Sequence, residues 1–563
     1  MNPIAVIVDA VLNASRWLRN LLVGLATAPA FVIVEIAGSL PERRQRPHGL
    51  RGWLQHRFRA RQASLEEWRE RLRILAADPR IEGVILMIGD LQAGMAALES
   101  LRQSLEAFRA SGKRLIAYLI TSNLRSYYLA SAAERLIAPE SAELTLHGLR
   151  MEATFLRSAL DQLGILPQFH HIAEYKSAAN RFLYPTMPEP QREMLTTLLE
   201  SMFEEIVAAI ATARQLPTEA VRRAIDQGIL SAAEARDRRL LDTVAFMDQV
   251  PAILSHTGDP ASIHPWSQGR HRIRSPYRWR SRERQAIAVV QLLGTIVPGE
   301  SHDLPLPFPL IGQQLAGHET ITRALRRAER LPQVKTIIFH VDSPGGSAVA
   351  SDLIWREVAR IQAQKPIVVF MGNVAASGGY YVTCGARHIV AGATTLTGSI
   401  GVIAGKVNLQ GLFDKLGVHR EILARGATAS MPSAFAAYTE AQWVILRSWM
   451  EEIYHRFKAR VAAGRKLSME AVEAIARGRV WTGRQALGHG LVDELGDFET
   501  AVNMAKDLAG ISAEAAVAVM TVKPPRAIAV PSGPSARWDL GLCTTMRLLN
   551  EHALVLMPCE LFL

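Results

Sequence analysis

A serine followed by two glycines is the group in this sequence best suited to nucleophilic chemistry. Ser377 stands in residues 373–381, NVAASGGYY, after an apolar run at 366–371 that predicts a buried strand. The two glycines permit a tight turn and the close approach of a substrate. If a helix begins there, its first N–H groups would face a developing oxyanion. Taken alone, the motif is equally consistent with an ordinary strand-to-helix turn.

A second glycine turn strengthens this interpretation. Residues 342–346, DSPGG, follow the predicted strand 336–341. Two backbone N–H donors, one from each turn, would make an oxyanion hole. We assign Gly346 and Gly378 as these donors, with the neighbouring glycines as support, namely Gly345 and Gly379.

A serine hydroxyl needs a base, because it is a poor nucleophile at neutral pH. Neither glycine motif contains a histidine, but Lys176, in residues 174–177 (EYKS), can serve if its amine is held neutral. Burial lowers the pKa of a lysine from its ordinary value of about 10.4. An isolated lysine is more often an exposed surface residue, so this assignment needs further support.

The serine and the lysine belong to different copies of an internal repeat. The Tyr-Tyr pair at 127–128 recurs at 380–381, an offset of 253 residues. At this offset Ser377 falls opposite a leucine and Lys176 opposite an alanine. Each copy has therefore kept one half of the pair, which predicts a single composite site.

Each copy alternates short β-rich runs with helical patterns. This alternation predicts an α/β fold with tandem domains, each built of βαβ units around a mainly parallel sheet with flanking helices. The predicted organisation is a membrane-associating segment at 1–30, a lysine-bearing domain at 31–256, an Arg-rich linker at 257–285, a serine-bearing domain at 286–511 and a tail at 512–563.

Composition places the chain among folded globular proteins. Its 563 residues are 49% hydrophobic and 21% charged, which excludes a disordered chain. Three cysteines exclude a disulfide scaffold, and they lack zinc spacing. Cys543 and Cys559 form either a disulfide or two reduced thiols, and the sequence leaves both open. Phosphate-binding, zinc-protease and dinucleotide motifs are absent, so no metal or cofactor is predicted.

The net charge of +11 is concentrated in arginine clusters at 43–61 and 270–284. Such clusters favour contact with anionic lipid headgroups, or they are solvated connectors; no nucleic-acid-binding motif accompanies them. Residues 4–28 are largely apolar but are interrupted by Asp9, Arg16 and Arg19. This pattern favours an interfacial helix over a membrane span.

The sequence resembles the signal peptide peptidase A family, in its long tandem-domain form, over roughly residues 31–510. The resemblance rests on five motifs: 175–178 (YKSA), 342–346 (DSPGG), 376–380 (ASGGY), 397–401 (TGSIG) and 481–486 (WTGRQA). It implies a Clp-protease/crotonase-like fold in each half and a serine–lysine dyad where the halves meet. By this resemblance Ser377 is the nucleophile, Lys176 the general base, and Ser399 a residue that orients the amine.

The resemblance also implies a setting and a substrate. It implies a homotetramer on the bacterial inner membrane that faces the periplasm, although a cytoplasmic placement stays open, and peptide partners that are signal peptides left after secretion. Two other functions remain open for the same fold. One is a crotonase-type acyl-CoA enzyme, which holds a thioester enolate with paired N–H groups, and the other is a non-catalytic scaffold.

Overall fold

The computed structural model describes residues 3–25, 27–44, 63–256, 258–277, 285–308, 312–515, 517–524 and 554–556. The chain divides into two compact units, 1–150 with 202–284 (the first unit) and 151–201 with 285–563 (the second unit). The boundary between units falls within the helix Glu189–Arg214. The units therefore do not follow the two sequence copies, because residues 151–201 of the first copy pack in the second unit.

The first unit contains a six-stranded, wholly parallel sheet and a small three-stranded sheet. In spatial order, the large sheet comprises Ile263–Pro265, Phe31–Gly38, Gly83–Leu91, Arg114–Tyr118, Arg135–Ala138 and Thr243–Val244. The small sheet comprises Thr121–Asn123, Glu143–Thr145 and Ile229–Ser231. The helices are Pro3–Gly24, Leu65–Ala77, Met95–Ala110, Leu124–Ala130, Thr218–Gln227, Ala232–Asp237, Val250–Leu254 and Trp266–Gly269.

Phe31–Gly38 is a core strand, as the similarity of the apolar run from residue 31 to residues 288–296 of the second copy predicts. Its side chains alternate between two buried clusters, with Phe31 in one and Val32 and Val34 in the other. A strand that is buried on both faces has apolar residues at nearly every position. Its sequence is therefore similar in composition to that of a membrane-spanning segment. Part of the predicted linker is also structured, because Ile263–Pro265 pairs with this strand and covers the edge of the sheet.

The second unit contains two sheets. The first, mainly parallel, comprises Val480–Thr482, Leu396–Gly398, Ile367–Ala376, Val334–Ser343, Ala286–Leu293 and Ala518–Thr521, with His388–Ala391 and Glu494–Leu495 branching from it. The second comprises His302–Phe308, Gly312–Gly317, Thr295–Val297, Gly345–Ser347, Leu554–Leu556, Val402–Asn408 and Leu166–Ile172. Its helices, including one short 3-10 turn, are Arg157–Leu163, Ser177–Ala179, Asn180–Leu183, His318–Arg330, Ala348–Gln362, Gly378–Tyr381, Gln410–Lys415, Glu440–Arg465, Met469–Ile475, Gly483–Gly488 and Phe498–Leu508.

The second sheet of this unit joins the two sequence copies. Leu166–Ile172, from the first copy, runs antiparallel to Val402–Asn408, from the second. The register pairs Ile172 with Val402 at one end and Leu166 with Asn408 at the other. This pairing carries the segment that follows Ile172, with its lysine, into the unit that holds the serine turn.

The mainly parallel sheets and their flanking helices confirm the predicted fold class. Several finer predictions lie outside the described residues, namely the pairing of Cys543 with Cys559, the arginines at 46–61 and 278–284, and most of the tail. Among the described residues, no helix combines the length and the apolar character that a membrane crossing requires.

Candidate active site

Ser377 sits at a sharp corner between a strand and a helix of the second unit. The strand Ile367–Ala376 ends immediately before it, and the short helix Gly378–Tyr381 begins immediately after it. Its backbone has φ 55° and ψ −116°, a conformation that a residue with a side chain rarely adopts. Its N–H donates to the carbonyl of Gly398 at 2.7 Å, and the side chain is fully buried. The surrounding backbone thus fixes the direction of the hydroxyl.

The two glycine turns predicted from the sequence meet beside this serine. A Cβ on Gly378 would lie 3.1 Å from both the Cα of Gly345 and the N of Gly346. A Cβ on Gly379 would lie only 2.5 Å from the carbonyl oxygen of Ser343. Glycine is therefore required where the turns touch, since a side chain would separate them. The structure brings together all four predicted glycines; their roles stay a prediction.

Lys176 is fully buried and reaches the serine from the first sequence copy. Its Nζ lies 2.6 Å from Ser377 Oγ. The same nitrogen lies 2.8 Å from the carbonyl oxygen of Ser399 and 3.0 Å from Ser399 Oγ. Burial holds the pKa of this amine well below its usual range, which favours the neutral form. The exposed surface lysine that was the alternative is excluded.

The three contacts suit a neutral amine that acts as a base. A neutral amine has two hydrogens and one lone pair. The Ser399 carbonyl oxygen can only accept, so one N–H is donated to it, and the second N–H is donated to Ser399 Oγ. The lone pair is then left for the hydroxyl of Ser377. The predicted nucleophile and the predicted base are therefore in direct contact, and both oxygens of Ser399 lie within hydrogen-bond distance of the amine. The roles of the three residues stay predictions.

Sequence reasoning missed the segment that supports these residues from behind. The carbonyl of Arg479 accepts the N–H of Ser399 at 2.7 Å, and the carbonyl of Arg477 accepts the N–H of Tyr175 at 3.2 Å. Both acceptors are backbone atoms, so the side-chain types carry no sign of the contact. The glycine between them, Gly478, was the available signal, but it resembles any other turn glycine.

Among the described residues, no group of three or more His, Cys, Asp or Glu side chains is arranged to hold a metal ion. The site as it stands consists of a hydroxyl, an amine, a second hydroxyl and backbone groups.

Comparison with known proteins decides the family. The sequence profile of peptidase family S49 matches residues 107–257 and 359–512, one segment in each copy of the repeat. The chain belongs to peptidase family S49. The two matched segments also confirm the duplication inferred from the 253-residue offset.

Similar proteins agree with this membership. "Serine protease SPPA, chloroplastic" of Arabidopsis thaliana is 31% identical over 84% of this chain and 71% of its own length. "Protease 4" of Haemophilus influenzae is 31% identical over 79% of this chain and 73% of its own. "Protease 4" of Salmonella typhi is 30% identical over 86% and 79%. The resemblance to the signal peptide peptidase A family is thereby confirmed.

A solved structure, a ClpP1 mutant from Listeria monocytogenes, covers 39% of this chain and 95% of its own, with 14% identity and a TM-score of 0.25. That likeness is too slight to carry an argument. Membership in family S49 supports a serine peptidase, and this argues against an acyl-CoA enzyme of the same fold.

Proposed function

We propose that this chain is a membrane-associated serine endopeptidase that degrades signal peptides and other hydrophobic peptides through a Ser–Lys dyad. The observation that carries the proposal is the buried Lys176 Nζ at 2.6 Å from Ser377 Oγ. Membership in family S49 supports the peptidase class. The class of substrate, apolar leader peptides, rests on the family resemblance alone.

In the proposed first step, Lys176 removes the proton of Ser377 as its oxygen attacks a peptide carbonyl. The bond from Oγ to the carbonyl carbon forms, and the carbonyl oxygen becomes an oxyanion. The N–H groups of Gly346 and Gly378 stabilise this charge, since the turns that carry them meet at the serine. The protonated Lys176 keeps its contacts to the two oxygens of Ser399 while it holds the proton.

In the second step, the C–N bond breaks and the amine leaves with the proton that Lys176 returns to it. An acyl-enzyme on Ser377 remains. Water, deprotonated by the same lysine, attacks the ester and releases the carboxylic acid and the free serine. One lysine can serve both steps because it is neutral again after the first product leaves.

A peptide substrate would bind along the strand Gly345–Ser347 in the place that a segment of this chain occupies in the structure. Gly345–Ser347, the strand that begins at the first glycine of the DSPGG turn, pairs antiparallel with the chain's own segment Leu554–Leu556. Its register places Gly346 opposite Val555. This pairing of an extended segment with the strand that carries the proposed oxyanion donor supports the proposal. In the proposed complex the substrate replaces Leu554–Leu556 and pairs with this strand through backbone hydrogen bonds, which do not depend on side-chain type.

The proposal is tested by hydrolysis of casein and of a synthetic apolar leader peptide. Wild-type protein should cleave both, and Ser377→Ala should cleave neither. Thr336→Val is a matched control, because it removes a buried hydroxyl that donates to the carbonyl of Ala505 at 2.9 Å in the same unit. That variant should keep activity per folded molecule. Equal cleavage by wild type and Ser377→Ala would refute the proposed function.

The helix Pro3–Gly24 supports the membrane part of the proposal. Its polar residues face the first unit, where Asp9 and Asn13 are buried and Asn20 exchanges hydrogen bonds with the backbone of Ser275 at 2.8 and 2.9 Å. Most of its large apolar residues, although not Val23, face outward and are 46% to 84% exposed: Ile7, Val8, Val11, Leu12, Trp17, Leu18, Leu21, Leu22 and, just beyond the helix, Leu25. A docked helix with its apolar face outward suits the plane of a lipid interface.

We expect this helix to bind lipid from the surface. The triple variant Val11→Ser, Leu18→Ser, Leu22→Ser should lose most co-sedimentation with phosphatidylglycerol vesicles and keep its peptidase activity. Ile445→Ser, which changes an exposed apolar residue of another helix, should bind vesicles like the wild type. Salt should weaken wild-type binding, because part of it is electrostatic. Full-length protein that stays with membranes through an alkaline carbonate wash would show a true span instead.

The remaining expectations concern placement and assembly. We keep the bacterial inner membrane, with the two units on its periplasmic side, as the proposed location, and a homotetramer as the proposed assembly. Accessibility of the protein to external protease in spheroplasts distinguishes the periplasmic face from the cytoplasmic face. Light scattering of the detergent-extracted protein gives the number of subunits.

A further inference from the structure

Residues 477–479 bind two different segments of the proposed active site through backbone atoms alone. The carbonyl of Arg477 accepts from Tyr175 N at 3.2 Å, one residue before the lysine. Gly478 N donates to the carbonyl of Ile400 at 2.8 Å, and the carbonyl of Arg479 accepts from Ser399 N at 2.7 Å. Residues 477–479, which we call the bridge, thus connect the segment that contains Lys176 with the turn that contains Ser399, whose oxygens contact the lysine amine.

The middle residue of this bridge is in unusually close contact with the lysine. Gly478 is buried and has φ +80°. A Cβ on it would lie 2.5 Å from Lys176 N, 2.6 Å from Lys176 Cβ and 2.7 Å from Lys176 Cα. These atoms are backbone or next to it, so they cannot rotate away as a flexible side-chain end can. Any residue larger than glycine must therefore shift the backbone where residue 478 and Lys176 touch.

Gly478 has a second close backbone neighbour, Gly401. A Cβ on Gly401 would lie 2.9 Å from Gly478 Cα and 2.9 Å from the carbonyl oxygen of Ile172. Gly478 therefore has close backbone contacts with both Lys176 and Gly401. An added methyl group at residue 478 displaces backbone atoms at these contacts, and we expect those of Lys176 to be among them.

The side chains of the first and last residues of the bridge contact carboxylates. Arg477 Nε donates to Glu174 Oε2 at 3.2 Å, and Arg479 Nη1 lies 2.8 Å from Glu193 Oε1. The guanidinium of Arg479 also lies over the ring of Trp481 at 4.7 Å. The indole N–H of Trp481 in turn donates to the carbonyl of Ile475 at 2.9 Å, which closes the loop that contains the bridge.

We infer that Gly478 is a positioning residue for the base: by lacking a side chain it sets the Lys176 backbone where the amine reaches Ser399 and Ser377 together. The inference rests on the proposed dyad. It adds a residue that touches neither the substrate nor the reacting atoms and acts only through the lysine.

Gly478→Ala tests the inference, with Gly510→Ala as the matched control. Gly510 also has a positive φ, +65°, but an added Cβ there meets nothing within 4 Å. Both variants carry the backbone strain of alanine at positive φ, and only the first displaces Lys176. For Gly478→Ala we expect kcat/KM to fall by roughly 10²-fold, the size of effect that a misplacement of about 1 Å produces. Gly510→Ala should keep kcat/KM within about 2-fold per folded molecule, since no contact changes.

The pH profile separates positioning from a general loss of structure. A displaced amine is less buried, so the acidic limb of the kcat/KM profile should move to higher pH in Gly478→Ala. A lower fraction of folded enzyme would reduce the rate at every pH without moving that limb. A fall in rate with an unmoved limb, or a rate equal to that of Gly510→Ala, overturns the inference. Activity retained in Ser377→Ala would instead overturn the proposed function.

Trp481→Phe keeps the inference testable if Gly478→Ala does not fold. It removes the indole N–H bond to Ile475 and keeps an aromatic ring beside Arg479. The looser bridge should move the acidic limb in the same direction by a smaller amount. An unchanged profile in folded Trp481→Phe, together with an unfolded Gly478→Ala, would contradict the positioning role.

Discussion

Ser377→Ala and Lys176→Ala should each lower kcat/KM for a peptide substrate by roughly 10³-fold or more, as for residues that act as one catalytic unit. The serine variant lacks the attacking oxygen, and the lysine variant lacks the group that accepts its proton at 2.6 Å. Because both changes interrupt the same step, the double variant should be little worse than either single variant. Initial rates across substrate concentrations give kcat/KM for all four proteins.

Lys365→Ala is the control for the lysine. Its Nζ donates to the carbonyl of Leu331 at 2.8 Å, and partial burial lowers its pKa, yet it lies just after the helix Ala348–Gln362, outside the proposed site. Its removal should leave kcat/KM close to the wild-type value. If folded Lys176→Ala keeps substantial activity, the base is another group. Activity that is lost equally in Lys365→Ala would point to stability instead.

The activity should rise with pH through the pKa of Lys176. Only the neutral amine can take the proton of Ser377, and burial sets its pKa well below the ordinary 10.5. The acidic limb of kcat/KM should therefore lie well below the pH at which a solvent-exposed lysine titrates. Chelation with EDTA should leave this profile unchanged, because the proposed steps use only a serine and a lysine. An acidic limb near 10.5, or activity lost to EDTA and restored by a divalent ion, would contradict the mechanism.

The same burial predicts how stability changes with pH. The folded pKa of Lys176 is depressed, so at pH values between it and 10.5 the unfolded chain binds one more proton than the folded chain. Stability from this group therefore rises with pH across that window, by about 1.4 kcal/mol per unit. Lys176→Met lacks the titrating group. The free energy of unfolding of the wild type minus that of the variant should therefore rise with pH at this slope. Chemical denaturation at several pH values measures the difference. Parallel pH curves for the two proteins would mean that Lys176 is charged in the fold.

The sequence predicted the dyad because its chemistry is unusual and its motifs are long. Ser377 followed by two glycines, and Lys176 opposite an alanine in the other copy, both depend on side-chain type. The continuous apolar run from Phe31 was recognisable as a core strand because the second copy has a similar run at 288–296. The strand needed only pattern and spacing, whereas the role of Lys176 as the base came from the resemblance to the signal peptide peptidase A family.

The division of the chain into two compact units could not be predicted from sequence patterns and spacing. Residues 151–201 belong to the first copy by alignment, yet they pack in the unit that holds the second copy's serine. The cause is the antiparallel pairing of Leu166–Ile172 with Val402–Asn408, a contact between residues more than 200 positions apart. A local pattern predicts a strand but not its partner.

The backbone contacts that support Lys176 and Ser399 also could not be predicted from the sequence. Ser399 was assigned from a motif, but its N–H bond to Arg479 is made by a carbonyl that every residue has. Gly478 differs from an ordinary turn glycine only by the 2.5 Å separation between its would-be Cβ and Lys176 N. Such a distance depends on tertiary packing.

Labelling with a fluorophosphonate, followed by peptide mapping by mass spectrometry, tests the dyad most directly. Wild-type protein should carry one label per chain, on Ser377. Lys176→Met, folded by circular dichroism, should not label at a comparable rate, because the serine has lost its base. A label on another serine, or labelling of Lys176→Met at the wild-type rate, would contradict the assignment of Ser377 and Lys176 as nucleophile and base.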